Sequence, residues 1–263
     1  MSELIAECSM RTTAQRLLIV NADDYGYSQQ VNAAIEKSFE LELISSATLM
    51  ANMPGFMHAV MWLKRQPIQP AIGVHLNLDE GLPLTSMFRE LPGGRNLFYN
   101  GNALTSSSRY LRAAECELDA QIQRVLDAGI MVHHFDSHHH IHTRLPLTRI
   151  VVRLARRYGI RFVRMSRTLG GKQGWPISFY RAVVNSLLRS ADPSRENRGF
   201  AGLSDLIRSG SSTQYRIIEA MIHPGKESEF AVLLSPGYSQ LRKSYRLVSY
   251  VQLTKPTAVA HSH

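Results

Sequence analysis

The amino-acid sequence predicts an α/β fold in the form of a distorted (β/α) TIM-like barrel, and three observations carry that expectation. Short β-rich runs alternate with amphipathic helical stretches, the signature of parallel βα units. The first run, Arg16–Asn21 (RLLIVN), is apolar after its first residue until the terminal Asn, as a strand buried on both faces requires. Four strands carry Asp or His at or near one end, and the active sites of barrels and doubly wound sheets lie at the carboxyl ends of strands. A doubly wound open sheet is the alternative arrangement of the same units.

The elements follow in order. Ser28–Glu42 reads as a helix, with Ser28 as its cap and Val31, Ile35 and Phe39 as its apolar stripe. Ser45–Met50 is a second strand and Met57–Lys64 a second helix, closed off by Pro67 and Pro70. Ala71–Leu78 (AIGVHLNL) is a third strand. Gly81–Ser108, rich in Pro, Gly, Asn and Ser, is expected to be a long loop. Tyr110–Leu126 is a helix ended near Gly129, and Met131–Asp136 a fourth strand. Leu147–Tyr158 is a helix striped with Arg149, Arg153, Arg156 and Arg157, and Ile160–Arg164 a fifth strand. Gly170–Gly210 reads as two helical pieces with loops between. Tyr215–Ile222 is a further strand and Tyr245–Val251 the last.

The 263 residues suit one large α/β domain, expected over 16–252, with a flexible leader at 1–15 and a flexible tail at 253–263. No run of eighteen apolar residues marks a membrane span, and the amino terminus lacks the pattern of a signal peptide. Cys8 and Cys116 form no CxxC pair, which argues against a disulfide framework and suits a reducing compartment such as the cytoplasm. The net charge of +9 favours anionic partners, but no block of five or six like charges interleaved with aromatics points to nucleic acid, and none is expected as a partner. Apolar helix faces are buried either within the barrel or across a homodimer, and the sequence leaves both open.

The chemistry gathers at strand ends. The first strand leads into Asp23-Asp24, the third carries His75, the fourth leads through Asp136 to His138, and a late strand leads to His223-Pro224. Each alone has an ordinary structural reading: an Asp capping a helix, a hydrogen-bonded core histidine, a packed histidine before proline. Together they have the composition of a metal hydrolase. Adjacent carboxylates repel unless a cation lies nearby, and successive residues of a strand point to opposite faces, so one carboxylate can bind metal while the other faces substrate. Six of the 11 histidines fall between His133 and His142, and imidazoles brought together favour the neutral, metal-binding form. If the segment is extended, Asp136, His138, His140 and His142 share a face. If a helix starts at His138, then His138 and His142 are neighbours. One carboxylate and two imidazoles leave positions for water on a divalent ion, with Asp23 suited to act as base and His223 as acid. No GxSxG elbow, Walker loop or GxGxxG motif is present.

At these residues the sequence resembles the YdjC-like carbohydrate deacetylases, a family with chitooligosaccharide and hopanoid-biosynthesis branches. The matching motifs are NADDYG at 21–26, GVHLNLDEG at 73–81, FDSHHHIH at 135–142 and MIHPG at 221–225, in the family's order and spacing. The resemblance implies a distorted barrel like that of other polysaccharide deacetylases and hydrolysis of the acetamide of an N-acetylated amino sugar. By the same resemblance Asp24, His75 and His138 are the metal ligands, Asp23 the base, His223 the acid and Arg164 the residue that orients the base. Asp136 and His140 support the ligand histidines. Magnesium is usual for the family, whereas a two-His, one-carboxylate set suits zinc by ligand softness, so both ions stay open. Tyr25 stands where the family usually has Phe, and Gly170–Gly210 matches it poorly. Two other readings remain at this point: a metal-dependent amidase acting on a non-sugar substrate, and a sugar-binding protein without turnover.

Overall fold

A computed structural model describes residues 16–91, 107–169, 174–192, 196–210 and 214–254. The leader expected at 1–15 lies outside the described residues, as do 92–106 of the expected long loop and 255–263 of the expected tail.

Eight parallel strands build one sheet: β1 (Leu17–Tyr25), β2 (Ser46–Leu49), β3 (Ala71–Leu76), β4 (Val132–Ser137), β5 (Phe162–Val163), β6 (Arg198–Gly202), β7 (Ile217–Ile222) and β8 (Arg246–Leu247). Seven run in the order β5-β4-β3-β2-β1-β7-β6, and β8 pairs with the start of β1. The helices are α1 (Gln29–Glu40), α2 (Phe56–Arg65), α3 (Ser86–Arg89), α4 (Ser108–Asp127), α5 (Leu145–Arg157), α6 (Trp175–Arg189), α7 (Leu203–Ser209), α8 (Glu227–Leu233), α9 (Pro236–Ser244) and α10 (Tyr250–Thr254). The central strands β2 and β3 are buried at every residue, as parallel strands covered on both faces must be. Ser28 caps α1 by accepting from the backbone N–H of Val31, and Ile35 is buried in the core.

The sheet curls into a half-barrel. On a flat sheet β5 and β7 would stand five strand spacings apart, about 24 Å. Instead the side chain of Arg164, just past β5, lies 2.5 Å from Glu219 on β7 and 2.6 Å from Asp23 on β1. Among the described residues the two edges do not pair strand to strand. The chain beyond β5 bridges them: the backbone N–H of Thr168 donates to Phe200 O at 3.0 Å, and the N–H of Phe200 donates to Thr168 Oγ1 at 2.7 Å.

Three expectations are corrected. Gly170–Gly210 is not two helical pieces alone, because β6 lies between α6 and α7. Its RGFAG sequence lacks a hydrophobic run, and Gly199 is there because a Cβ would sit 2.6 Å from the ring of Tyr215. The last strand is two residues long rather than seven. β8 pairs only with Leu17 and Leu18, because β2 takes that side of β1 from Asn21 onward, and α10 follows. The expected long loop contains α3, and α8 and α9 fill a stretch for which no element was predicted.

Candidate active site

The carboxyl ends of β1, β3, β4 and β7 converge on one cavity of about 480 Å3, lined by Asp23, Asp24, His75, His138, His140 and His223 among others. β1 delivers both of its carboxylates there by breaking its own alternation. The register against β2 shifts between Ala22 and Tyr25, and Asp24 takes a left-handed backbone with φ 69°. A strand without this bulge would send the two side chains to opposite faces. Beyond it, the Tyr25 hydroxyl donates to Glu36 at 3.1 Å, which satisfies the polar group that a Phe would lack.

Asp24 faces two imidazoles. Its Oδ1 lies 3.2 Å from His75 Nε2 and 3.0 Å from His138 Nδ1. On the far side of its ring, His75 Nδ1 lies 2.7 Å from Asp136 Oδ1, and Thr48 donates to Asp136 Oδ2 at 2.9 Å. The ring N–H is therefore directed at Asp136 and Nε2 is turned towards Asp24. Burial opposes a charge on His75, but the carboxylates of Asp136 and Asp24 override it and hold its pKa well above the usual range. Burial likewise opposes ionisation of Asp24, and hydrogen bonds from His138 and His75 hold its carboxyl well below. Such a site has a strong affinity for positive charge, and a divalent cation would satisfy it as protons do.

Among the described residues two other clusters have metal-ligand spacing, Asp79–His138–His139 and Asp23–His75–Asp136. In the second, Arg164 already neutralises both carboxylates. In the first, His139 is solvent-exposed at the rim. The Asp24–His75–His138 cluster has neither drawback, with its three donor atoms within 4.8 Å of one another. Its two nitrogens and one carboxylate oxygen suit a small divalent ion.

Asp23 sits beside this cluster. Arg164 Nη1 donates to its Oδ2 at 2.6 Å and Nη2 to its Oδ1 at 2.7 Å, while Asn21 Nδ2 donates to Oδ1 at 2.9 Å. Burial disfavours the Asp23 carboxylate, yet the guanidinium holds its pKa well below the ordinary range. Arg164 is itself fully buried and also meets Asp136 at 2.8 Å and Glu219 at 2.5 Å. His223 stands across the cavity. Its Nδ1 is 3.0 Å from Glu229 Oε2, and its backbone N–H donates to the same carboxylate at 2.9 Å. Burial lowers the His223 pKa, but Glu229 outweighs it and the net shift is upward.

The histidine run is neither extended throughout nor a regular α-helix. A 310 turn spans His138–Thr143 with His139 and His140 in the left-handed region, φ 46° and 54°. This splits the imidazoles. His138 enters the cluster, and His139 turns out to Asp79 at 2.8 Å. His142 is buried against Ser137 and the Arg164 carbonyl, which pins the turn. His140 lines the cavity, but its ring packs edge-on against Phe200 and His142, and no described residue hydrogen-bonds its Nδ1. Burial pushes its pKa down to about 4.

Sequence reasoning placed Asp23, Asp24, His75, Asp136, His138, His140, Arg164 and His223 at the site, and the fold brings all eight to it, although His140 packs against Phe200 and His142 rather than holding a ligand histidine. It missed Glu229, Glu219, Thr48 and Asn21. It also gave no role to Glu80, which lies 2.8 Å from His138 Nε2 and accepts from Tyr27 at 2.5 Å. Asn21 and Glu80 stand inside the quoted motifs. Glu229 sits in the first turn of α8, where an acid also suits the helix dipole.

The chain is similar to known proteins. A carbohydrate deacetylase of Geobacillus stearothermophilus is 34% identical over 249 residues, 93% of this chain and 92% of that protein. One from Brevibacillus brevis is 32% identical over 237 residues, 86% of this chain and 87% of that protein. Among solved structures, a protein of Enterococcus faecalis V583 described as a cellobiose-phosphate cleavage protein aligns with a TM-score of 0.69 over 91% of this chain and 99% of its own. At 20% identity, that likeness speaks for the fold alone. The sequence profile of the YdjC-like protein family matches residues 17–256, essentially the whole described barrel with its four motif-bearing strand ends, and the chain belongs to that family.

Proposed function

We propose that the protein hydrolyses the acetamide of an N-acetylated amino sugar, releasing acetate and a free amine, with one divalent metal ion held by Asp24, His75 and His138. The observation that carries this reading is the division of labour in one cavity: a cation-seeking cluster, a carboxylate fixed by Arg164 and an imidazole backed by Glu229. The names of the relatives support the substrate class. When bound, the ion would polarise the amide carbonyl and acidify a water molecule.

The residues divide the proton transfers. A carboxylate offers about four acceptor positions. On Asp23, Arg164 and Asn21 occupy both positions of Oδ1, and Arg164 occupies one of Oδ2. Oδ2 keeps one, which makes it the atom that takes the proton from the attacking water. His223, with Nδ1 held by Glu229, presents Nε2 to the cavity and gives its proton to the nitrogen as the C–N bond breaks. His75 is kept from turning by Asp136, so its Nε2 stays directed at Asp24, where it would help hold the ion.

The test is acetate release from diacetylchitobiose and a panel of N-acetylated sugars. Metal-stripped protein is assayed before and after addition of zinc, magnesium or manganese, with Asp23→Asn as control. Activity restored by metal and abolished in Asp23→Asn is the expected result. Metal binding without turnover of any sugar in the panel would move the substrate to another amide, and absence of metal binding would overturn the assignment of the cluster.

A further inference from the structure

The ring of His138 lies between two carboxylates. Its Nδ1 is 3.0 Å from Asp24 Oδ1, and its Nε2 is 2.8 Å from Glu80 Oε2. Turning the ring over would set Cδ2 and Cε1 against these oxygens, so both carboxylates favour the observed orientation. An ionised carboxylate only accepts, so the nitrogen that faces Glu80 carries a proton. Nδ1 is then the nitrogen whose lone pair can serve an ion beside Asp24. His75 has the reverse arrangement, with Nδ1 towards Asp136 at 2.7 Å and Nε2 towards Asp24 at 3.2 Å. The two strands brace each other: β3 carries His75 and leads to Glu80, while β4 carries Asp136 and leads to His138. Each strand's carboxylate holds the histidine of the other.

Glu80 is itself fixed for this contact. The Tyr27 hydroxyl donates to its Oε1 at 2.5 Å, which leaves Oε2 for the imidazole. Its backbone N–H donates to Asn77 Oδ1 at 3.0 Å, and its carbonyl accepts from Asn77 Nδ2 at 2.7 Å and from Asn52 Nδ2 at 2.8 Å. Asn77 is buried, and its own backbone N–H donates to Gln121. A glutamate that served only solubility would turn its carboxylate outward. This side chain is 35% exposed, yet both of its oxygens and its backbone are tied down at the cavity.

We propose that Glu80 is the positioning residue of His138, holding its Nε2–H so that His138 binds the ion through Nδ1 while His75 binds through Nε2. This role rests on the metal cluster assigned above and not on the identity of the substrate. A ligand imidazole is commonly oriented by a carboxylate on its other ring nitrogen, and loss of that partner lowers metal affinity by about 10–100-fold. Glu80 fits less well as a further ligand, because its Oε2 meets the ring nitrogen that does not face Asp24.

Zinc binding to the metal-free purified chain tests it, read by competition with a chelating dye and by long-range proton–nitrogen NMR of isotope-labelled histidine side chains. In the zinc-loaded wild type, with ring signals assigned through the backbone, His138 should carry its proton on Nε2 and His75 on Nδ1. Glu80→Ala should bind zinc about tenfold or more weakly. Glu80→Gln keeps an oxygen that accepts from the Nε2–H of His138 and should lose less than Glu80→Ala. Ligation of His138 through Nε2 in the wild type, or unchanged zinc affinity in Glu80→Ala, would overturn the proposal. Equal losses in Glu80→Gln and Glu80→Ala would make Glu80 a ligand in its own right and overturn it too. Asp24→Asn separates this failure from failure of the cluster. If Asp24→Asn weakens zinc binding and Glu80→Ala does not, the cluster stands and only the role of Glu80 falls. If wild type and Asp24→Asn bind zinc equally, the cluster falls and takes the role of Glu80 with it.

Discussion

Arg164 and Asp23, 141 residues apart in sequence, meet fork to carboxylate across the interior of the barrel, with Nη1 on Oδ2 at 2.6 Å and Nη2 on Oδ1 at 2.7 Å. Asp136 and Glu219 complete the ring of carboxylates around the same guanidinium. Arg164→Ala leaves three buried acids without a counter-charge and is expected to lower the unfolding free energy by about 3–5 kcal/mol. Urea denaturation at neutral pH measures this. Arg164→Lys should recover only part of the loss, because an ammonium lacks the planar fork. The pH dependence has a definite sign. The folded-state pKa of Asp23 lies below its ordinary 3.8, so its contribution is present above that value and is lost as pH falls through the folded one. Arg164→Ala should therefore have a flatter stability curve in acid than wild type. Parallel curves would contradict the pairing.

Glu229 is expected to set the alkaline limb of the reaction. His223 must be protonated to act as acid, and Glu229 raises its pKa above the ordinary 6.5. A hydrogen bond to a charged group contributes about 1.5–3 kcal/mol, so Glu229→Gln should move the alkaline limb of kcat towards lower pH by about one unit or more. Stability follows the same proton: the His223 contribution is complete below 6.5 and is lost as pH rises through the raised folded value. A pH–rate profile of the variant that superimposes on wild type would remove Glu229 from the mechanism.

Asp136 should matter to metal affinity without touching the ion. It holds the Nδ1 side of His75 at 2.7 Å, and losing such an orienting partner lowers affinity by about 10–100-fold. Equilibrium dialysis of Asp136→Asn against zinc gives the number. Asp24→Asn, which removes a ligand charge, should fall further than Asp136→Asn, and the reverse order would argue against Asp24 as a ligand.

Gly73 on β3 is required by a neighbour. A Cβ there would lie 2.6 Å from the carbonyl oxygen of His134 and 2.7 Å from its ring. That ring is stacked on Tyr250 at 3.9 Å, and its Nε2–H donates to Asn21 at 2.9 Å. Gly73→Ala should cost about 1–3 kcal/mol by overpacking and should also lower activity, since Asn21 steadies Asp23. An unchanged thermal midpoint would contradict the packing.

How much could be read beforehand depended on whether a residue acts where its strand ends or through a distant partner. The strand pattern and the motifs at strand ends identified the sheet and most of the site, because continuous apolar runs and clustered His and Asp are local signals. β6 escaped because RGFAG carries two glycines in place of a hydrophobic run, and β8 was overread because its length is capped by where β2 begins. Asp23 and Asp24 were expected on opposite faces by strand alternation. The positive φ of Asp24 that brings both to one side is one that Asp tolerates better than most residues, but nothing in the local sequence demands it. The histidine run gave its chemistry but not its shape, since two consecutive left-handed histidines are rare on steric grounds. Glu229 and Glu219 had no signal of their own until folding brought them to His223 and Arg164.

The unpaired edges of the half-barrel give Arg164 a second occupation. β5 and β6 share no ladder, and Thr168 supplies only a few bonds across that gap. Arg164, rooted at β5, reaches across to β7 and β1, so the cavity's electrostatics also serve as the clasp of the barrel. Mutating a catalytic group often relieves stored strain and leaves a sturdier protein. At Arg164 the opposite trade is expected: a change that weakens the proposed chemistry would also unfasten the fold.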